Sequence, residues 1–368
     1  EAYVISPIIS LTCVIEILYD FFIGNPMSKN RIGNEAYCYV IGARRRHISD
    51  QLTYLNLVVL GYMEKIPGLR IIGGASEEMK RKTKEEIEFR LTDNIDSLSK
   101  EGQKEIERLE YPKTEVEFSL INFVNAETNR LRKESEMDPY DIPPENYHIL
   151  PAELYKKVGG GNKSAGSAKP SMQTVIFNAG LIRANPIFFG SVALHETLHL
   201  KGHITLEVED SGQKIKETPY REGVSVNSPQ IKNQEEKRHS HFKGLHEAIV
   251  SEQQKHSLRA MLDLPSLRRE KERLSSEEAM KLIKHISEKI NSPQEDIIWV
   301  GEKEDEYEAI AYETPRKVLQ YICEEIQKQF SYQYNSPDDV FKEFLKAQFT
   351  GRLLPIARLV KGTFGEGS

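Results

Sequence analysis

The most constraining feature of the chain is the pentapeptide His195-Glu196-Thr197-Leu198-His199. On a helix, residues four apart lie one turn apart on the same face, so the two imidazoles can point at one place. Two neutral imidazoles placed in this way can bind a zinc ion, and the glutamate between them can take a proton from water bound to that ion. The spacing therefore predicts a metal-binding helix with Glu196 as general base.

The flanking residues predict where this helix begins and ends. Asn185 can cap the helix with its side chain, and Pro186 suits the first helical position. Gly202 stands where a helix of this kind stops. These signals predict a helix over 186–201. The alternative interpretation is an ordinary amphipathic helix with two histidines and a solvated Glu196.

A catalytic zinc site usually has three protein ligands and one open position, so a third ligand is expected. The longer pattern H-E-x-x-H-x-x-G-x-x-H fails because Thr205 stands at its last position. His203 is an alternative ligand, but Gly202 breaks the helix before it and leaves its direction open. Glu247 is preferred, because it lies on a second predicted helix among aliphatic neighbours, where an acidic side chain needs a partner.

The motif H-E-T-L-H, followed by G-L-H-E-A-I-V-S-E at 244–252, resembles the gluzincin branch of zinc metallopeptidases. In the smaller families of that branch, a helix of the G-L-[NH]-E-A type donates a glutamate ligand. The resemblance covers roughly 145–368 and implies an endopeptidase that acts on proteins or peptides with Zn²⁺ as cofactor. The site residues that it implies are the ligands His195, His199 and Glu247 and the general base Glu196.

The same resemblance implies a fold and further site residues. The fold class is α+β, with a zincin-like domain built from a small mixed sheet and the active-site helix. Residues 173–178, with Val175 and Phe177, would form the edge strand along which a peptide substrate lies. His246 replaces the more usual asparagine and is a candidate support for the metal ligands. The candidate donors to a developing oxyanion are Tyr220, Tyr307 and Tyr312.

A proline-rich segment, DPYDIPPE at 138–145, predicts a domain boundary. It divides the chain into a mainly helical N-terminal region, 1–140, of unassigned role and a metallopeptidase domain, 141–368, with a helical C-terminal part. The glycine-rich run at 158–169 predicts a flexible loop and lacks the G-K-[ST] ending of a phosphate-binding loop. Alternating apolar residues after His203 predict a β-hairpin following the metal helix.

Composition restricts the partners and the compartment. A formal net charge of -6 gives no global basic footprint for nucleic acid. The three cysteines are widely separated, which argues against a disulfide framework and favours the cytoplasm. The apolar stretch 4–23 contains Glu16 and Asp20, so we expect a buried helix there, with membrane contact as the less favoured alternative.

The sequence thus predicts a zinc-dependent metallopeptidase in which Glu196 is the general base. The alternative is a non-catalytic zinc-binding protein, regulatory or membrane-docking, on a peptidase-like scaffold. Glu196 argues against this alternative, because a purely structural zinc site needs no base.

Overall fold

A computed structural model describes residues 65–89, 91, 106, 108–161, 164–183, 185–210, 215–232 and 235–365 of the chain. These residues form α-helices and small β-sheets, so the fold class is α+β as predicted. The helix and membrane contact predicted for 4–23 lie outside the described residues, as does the helical content expected before residue 65.

The strands and helices of the described residues are numbered separately in chain order. The strands are β1 (Leu69–Ile72), β2 (Tyr147–Leu150), β3 (Gly166–Lys169), β4 (Thr174–Asn178), β5 (Ile204–Asp210), β6 (Ile215–Glu222), β7 (Ser225–Lys232), β8 (Glu235–His241), β9 (Ile297–Val300) and β10 (Tyr307–Ala309). The helices are α1 (Glu77–Phe89), α2 (Glu115–Glu134), α3 (Ala152–Lys157), α4 (Ala179–Ile182), α5 (Pro186–Leu200), α6 (Lys243–Met261), α7 (Arg268–Leu274), α8 (Glu277–Ile290), α9 (Glu313–Gln329), α10 (Pro337–Thr350) and α11 (Leu354–Phe364).

The strands form three sheets. The first has the order β2-β4-β3, with β2 parallel and β3 antiparallel to β4, and is therefore a small mixed sheet as predicted. The second has the order β1-β5-β6-β7-β8, with β1 parallel to β5 and the other pairs antiparallel. Its β5–β6 pair confirms the hairpin predicted after the metal helix. Strands β9 and β10 form a separate antiparallel pair.

The edge of the mixed sheet is not where the sequence placed it. Strand β4 lies between β2 and β3, and the side chains of Val175 and Phe177 are 0% exposed. The edge strands are β2 and β3, and β3 falls within the run predicted as a flexible loop. Strand β3 is built from small residues whose backbone pairs with β4, so side-chain alternation gave no signal for it. Both predictions, the edge position of β4 and the loop at 166–169, were wrong.

Helix α5 matches its predicted boundaries within one residue. The Asn185 side chain accepts hydrogen bonds from the backbone N–H groups of Ile187 and Phe188, at 3.0 and 3.1 Å. Leu194 and Leu198 are fully buried in the main core. The capping residue and the apolar faces thus hold the helix in the interior, which fixes the direction of the histidines that it carries.

Helix α2 packs against α5, and its Arg132 connects the C-terminal end of α5 to two more distant segments. The buried Arg132 on α2 donates hydrogen bonds to the carbonyl oxygens of Lys201, Pro67 and Asp138. Elements before and after residue 140 therefore contribute to one core. The division of the whole chain at residue 140 remains a prediction, because residues 1–64 lie outside the described part. Of the helices described, none has the combination of length and apolar content needed to cross a membrane.

Candidate metal centre

Helices α5 and α6 bring together the three residues expected to bind a metal. His195 Nε2 lies 3.0 Å from His199 Nε2. Glu247 Oε2 lies 3.5 Å from His195 Nε2 and 3.3 Å from His199 Nε2. Within the described ranges, this is the one group of three His, Cys, Asp or Glu side chains that could hold a metal ion. The side chains are 13%, 16% and 12% exposed in the order His195, His199, Glu247.

The separations of these three atoms fit a tetrahedral ion. Four ligands at 2.0–2.1 Å, the distances usual for zinc, are about 3.3–3.4 Å apart from one another. The observed separations of 3.0, 3.3 and 3.5 Å bracket this value. Glu247 Oε2 is buried and receives no hydrogen bond from the described residues. A buried carboxylate oxygen that faces two imidazole nitrogens without a donor suits a cation.

Helix α6 begins slightly later than the sequence indicated. The sequence favours a helix from about His241 to Met261 with Ser240 as its cap. In the structure Ser240 lies in strand β8, and the helix starts at Lys243 after Phe242, whose backbone is in the left-handed region. The shift leaves Glu247 on the first turns of α6 and facing α5. The two helices pack directly against each other, so Glu247 on α6 meets the two histidines on α5.

Each ligand histidine has a polar partner on α6. His195 Nδ1 lies 3.2 Å from Gln254 Oε1, and His199 Nδ1 lies 2.6 Å from His246 Nε2. The structure thus places His246, a sequence-predicted support, against His199. Sequence reasoning missed Gln254. The available signal was its position seven residues after Glu247, two turns along the same helix face.

Glu196 lies beside the three-residue group and against the edge strand. Its Oε2 accepts a hydrogen bond from the backbone N–H of Ala168 in β3, at 2.8 Å. A Cβ on Gly166 would lie 2.9 Å from Glu196 Cγ and 2.6 Å from Val192 Cγ1. The absence of a side chain at this position therefore allows β3 to approach α5 closely enough to hold Glu196.

Of the three candidate tyrosines, Tyr312 lies at the group. Its ring is nearly parallel to that of His195, with centroids 6.1 Å apart and planes 8° apart. Burial, with the carboxylates of Glu247 and Glu196, raises the pKa of Tyr312 to about 12. The phenol therefore keeps its proton. Tyr220 lies on strand β6, and Tyr307 packs on a separate small cluster with α8 and β9.

The backbone before Tyr312 is held by a buried arginine that the sequence reasoning missed. Arg316, 5% exposed, donates from Nε to the Ala311 carbonyl at 3.1 Å. Its guanidinium also binds Asp296 at both terminal nitrogens and Glu252 on α6 at 3.2 Å. Tyr312 itself has a φ of 59°, in the left-handed region. Arg316 thus fixes the strained turn that presents the tyrosine.

His203, the alternative ligand, lies outside the group. Its Nε2 is 3.0 Å from Thr205 Oγ1, and its ring packs under Gly351. Burial, with the charges of Arg221 and Arg70, lowers the pKa of His203 to about 4. A neutral histidine in positively charged surroundings is a poor place for a cation.

The surroundings of His195 and His199 are negatively charged, in contrast to those of His203. Burial alone would raise the pKa of Glu247, but the imidazoles of His195 and His199 hold this pKa well below its ordinary value. Burial would lower the pKa of His199, but the Glu247 carboxylate raises it. A second buried carboxyl, Glu222 on β6, was missed by sequence reasoning. Burial raises the pKa of Glu222, opposed by His199 and reinforced by Glu247.

Comparison with known proteins adds no relative. The chain matches no family model, no curated protein and no solved structure. The case for a function therefore depends on the residues of this centre.

Proposed function

We propose that the chain is a zinc-dependent metallopeptidase of the gluzincin type, with a zincin-like catalytic domain that hydrolyses peptide bonds. The observation that supports this proposal most is the meeting of Glu247 with His195 and His199, with Glu196 alongside. Two imidazoles and one carboxylate form a ligand set found in catalytic zinc sites, and the adjacent carboxylate is the residue that hydrolysis needs.

In this proposal the ion is held by His195, His199 and Glu247. A bound zinc ion would polarise the scissile carbonyl and lower the pKa of a bound water. Glu196 then has one oxygen fixed by the Ala168 N–H and the other, Oε1, available for the proton. It takes that proton as general base and delivers it to the leaving amine. Fixing one oxygen orients the other, so the proton is transferred at a defined position.

The substrate in this proposal is a protein or peptide that lies extended along β3. Strand β3 is at one edge of its sheet, where the N–H of Ala168 already donates to Glu196 and the other outward-facing backbone groups of the strand would bind the peptide. An extended peptide can add to such an edge through main-chain hydrogen bonds. Because Glu196 contacts the same strand, a peptide bound there has its backbone next to the general base.

Tyr312 is the donor proposed for the developing oxyanion. Its phenol is protonated at neutral pH as in any tyrosine, and burial with the two carboxylates raises its pKa further, to about 12. A neutral O–H beside His195 can donate to negative charge that forms on the substrate oxygen. We expect Tyr312→Phe to lower kcat for peptide cleavage by about 100-fold while zinc content stays unchanged. Loss of zinc from this variant would instead assign the tyrosine a structural role.

The experiment that tests the proposal uses the full chain and a matched variant. Zinc content is measured by mass spectrometry, and cleavage of a broad peptide library is measured for wild type and Glu196→Gln. We expect stoichiometric zinc in both proteins and cleavage by wild type, reduced at least about 100-fold in the variant. Zinc without cleavage by wild type would contradict the peptidase proposal and favour the non-catalytic zinc-binding alternative.

A further inference from the structure

We propose that Gln254 is a positioning residue that fixes the proton and the ring orientation of His195, so that Nε2 of this histidine faces Glu247. The inference deepens the proposed function, since it rests on the proposed zinc site. It concerns how α6 prepares a ligand on α5, and it assigns a role to a residue that neither binds the ion nor contacts substrate in the proposed mechanism.

The orientation of the Gln254 amide follows from its contacts with Ser191. Gln254 Nε2 lies 2.9 Å from the Ser191 carbonyl oxygen and 2.7 Å from Ser191 Oγ. A backbone carbonyl only accepts hydrogen bonds, so the NH₂ end of the amide must face it. The oxygen end is then turned toward His195, one helical turn further along α5. Gln254 is 6% exposed and Ser191 is 1% exposed, so bulk water does not compete for these contacts.

The orientation of the amide determines which nitrogen of His195 carries the proton. Gln254 Oε1 lies 3.2 Å from His195 Nδ1, and an amide oxygen only accepts, so Nδ1 must carry the hydrogen. In a neutral imidazole the lone pair then lies on Nε2. That nitrogen is the one facing His199 and Glu247, at 3.0 and 3.5 Å. The Ser191–Gln254–His195 chain therefore prepares a free lone pair at the metal position.

The other ligand histidine has a support of a different kind. His199 Nδ1 lies 2.6 Å from His246 Nε2, and either imidazole nitrogen can be the donor. This contact alone does not select a tautomer, whereas the contact with the Gln254 oxygen does. Of the two contacts, the one with Gln254 is therefore the one that determines which imidazole nitrogen is the donor. Outer partners that orient ligand histidines typically contribute about 10- to 100-fold to metal affinity.

Two variants at position 254 separate positioning from packing. Gln254→Met keeps the volume and removes the acceptor, and we expect its zinc affinity, measured by chelator competition, to fall about 10- to 100-fold. Gln254→Glu keeps an acceptor oxygen toward His195 Nδ1, and we expect its zinc affinity to fall less than that of Gln254→Met. If Gln254 only fills space, the order reverses, because methionine packs well while a buried carboxylate faces the Ser191 carbonyl. That reversed order, or equal affinities, would overturn the proposal.

A second measurement does not depend on either variant folding. In zinc-free wild type labelled with ¹⁵N-histidine, long-range proton–nitrogen spectra report which ring nitrogen carries hydrogen. The His195 signal is identified by its loss in His195→Asn. We expect hydrogen on Nδ1, whether or not Nε2 also carries one, and an Nδ1 without hydrogen would overturn the inference. Wild-type protein that binds no zinc would rule out the proposed function. The spectrum would still show whether Gln254 determines which nitrogen of His195 carries hydrogen.

Discussion

His199 and His203 stand four residues apart and differ in almost every property that matters for binding a metal. His199 lies against Glu247, and although burial opposes the shift, that carboxylate raises the pKa of His199. His203 lies near Arg221 and Arg70, and its pKa falls to about 4. The two residues have the spacing of His195 and His199, yet only the earlier pair points at one place.

The difference arises from where helix α5 ends. The helix runs to Leu200, and Lys201 and Gly202 turn the chain into β5. Spacing by four places side chains on one face only while the helix continues. Beyond its end, His203 is directed toward Thr205 and Gly351 instead. A histidine pair therefore predicts a metal site only together with the helix boundaries.

The largest expected effect is the loss of zinc affinity when His199, but not His203, is replaced. We expect His199→Ala to weaken zinc binding by more than about 100-fold, beyond the effect of losing an outer partner, because a ligand is lost. His203→Gln is the matched control, and it should leave zinc affinity unchanged. Both affinities are measured by chelator competition. Weaker binding in His203→Gln, with His199→Ala unaffected, would exchange the roles of the two histidines.

The next effect tests the carboxylate that distinguishes the two histidines. Glu247→Ala removes the third ligand and should weaken zinc binding by about 100-fold, since two imidazoles remain. Glu252→Ala, on the same helix, is the control, because Glu252 binds Arg316 and His256 rather than the group. Zinc occupancy of purified protein gives the result. Equal occupancy in Glu247→Ala and wild type would remove Glu247 from the ligand set and bring His203 forward.

The third effect is a dependence of stability on pH that arises at His203. The unfolded chain binds a proton at this histidine below its ordinary pKa of 6.5, whereas the folded chain does so only near pH 4. The contribution of neutral His203 to the free energy of unfolding is therefore complete above about pH 6.5 and is lost as the pH falls toward 4. This loss lowers the free energy of unfolding by about 2 kcal/mol between pH 8 and pH 5.

Denaturant unfolding at the two pH values measures this loss. In His203→Gln, which has no titrating group at this position, we expect the decrease in unfolding free energy on acidification to be smaller by that amount. An identical decrease in wild type and His203→Gln would mean that His203 titrates normally in the folded protein.

The smallest effect concerns the residue that leaves room for the His203 ring. Gly351 has a φ of +71°, and a Cβ there would lie 2.6 Å from the His203 ring atoms. We expect Gly351→Ala to lower the free energy of unfolding by about 1–2 kcal/mol, the typical strain of a non-glycine residue in this region. Thermal unfolding reports the change, and Gly365→Ala controls for backbone strain alone, because an added Cβ there meets no described atom within 4 Å while φ is +92°.

Features set by local chemistry could be predicted from the sequence, and features set by pairing could not. The Asn185 cap and the Gly202 stop defined α5, and the aliphatic neighbours of Glu247 indicated its helix. Strand β3 escaped prediction because its small residues form a strand only by pairing with β4. Gln254 escaped because its partner lies on another helix, a contact that no spacing within one segment reveals.

Which of the three tyrosines lies at the centre also could not be predicted from the sequence. The sequence offered Tyr220, Tyr307 and Tyr312 as candidate donors without selecting one of them. Tyr312 reaches His195 because Arg316 holds the preceding carbonyl and binds Asp296, which directly precedes β9. Three separate segments determine that position, so it follows from tertiary structure alone.

The central claim is that His195, His199 and Glu247 hold one zinc ion, and anomalous X-ray scattering tests it most directly. Crystals of the zinc-loaded protein would be measured on both sides of the zinc absorption edge. We expect a single strong anomalous peak at about 2.0–2.2 Å from His195 Nε2, His199 Nε2 and a Glu247 oxygen. No peak at these atoms, or a peak whose ligands include His203 in place of Glu247, would contradict it.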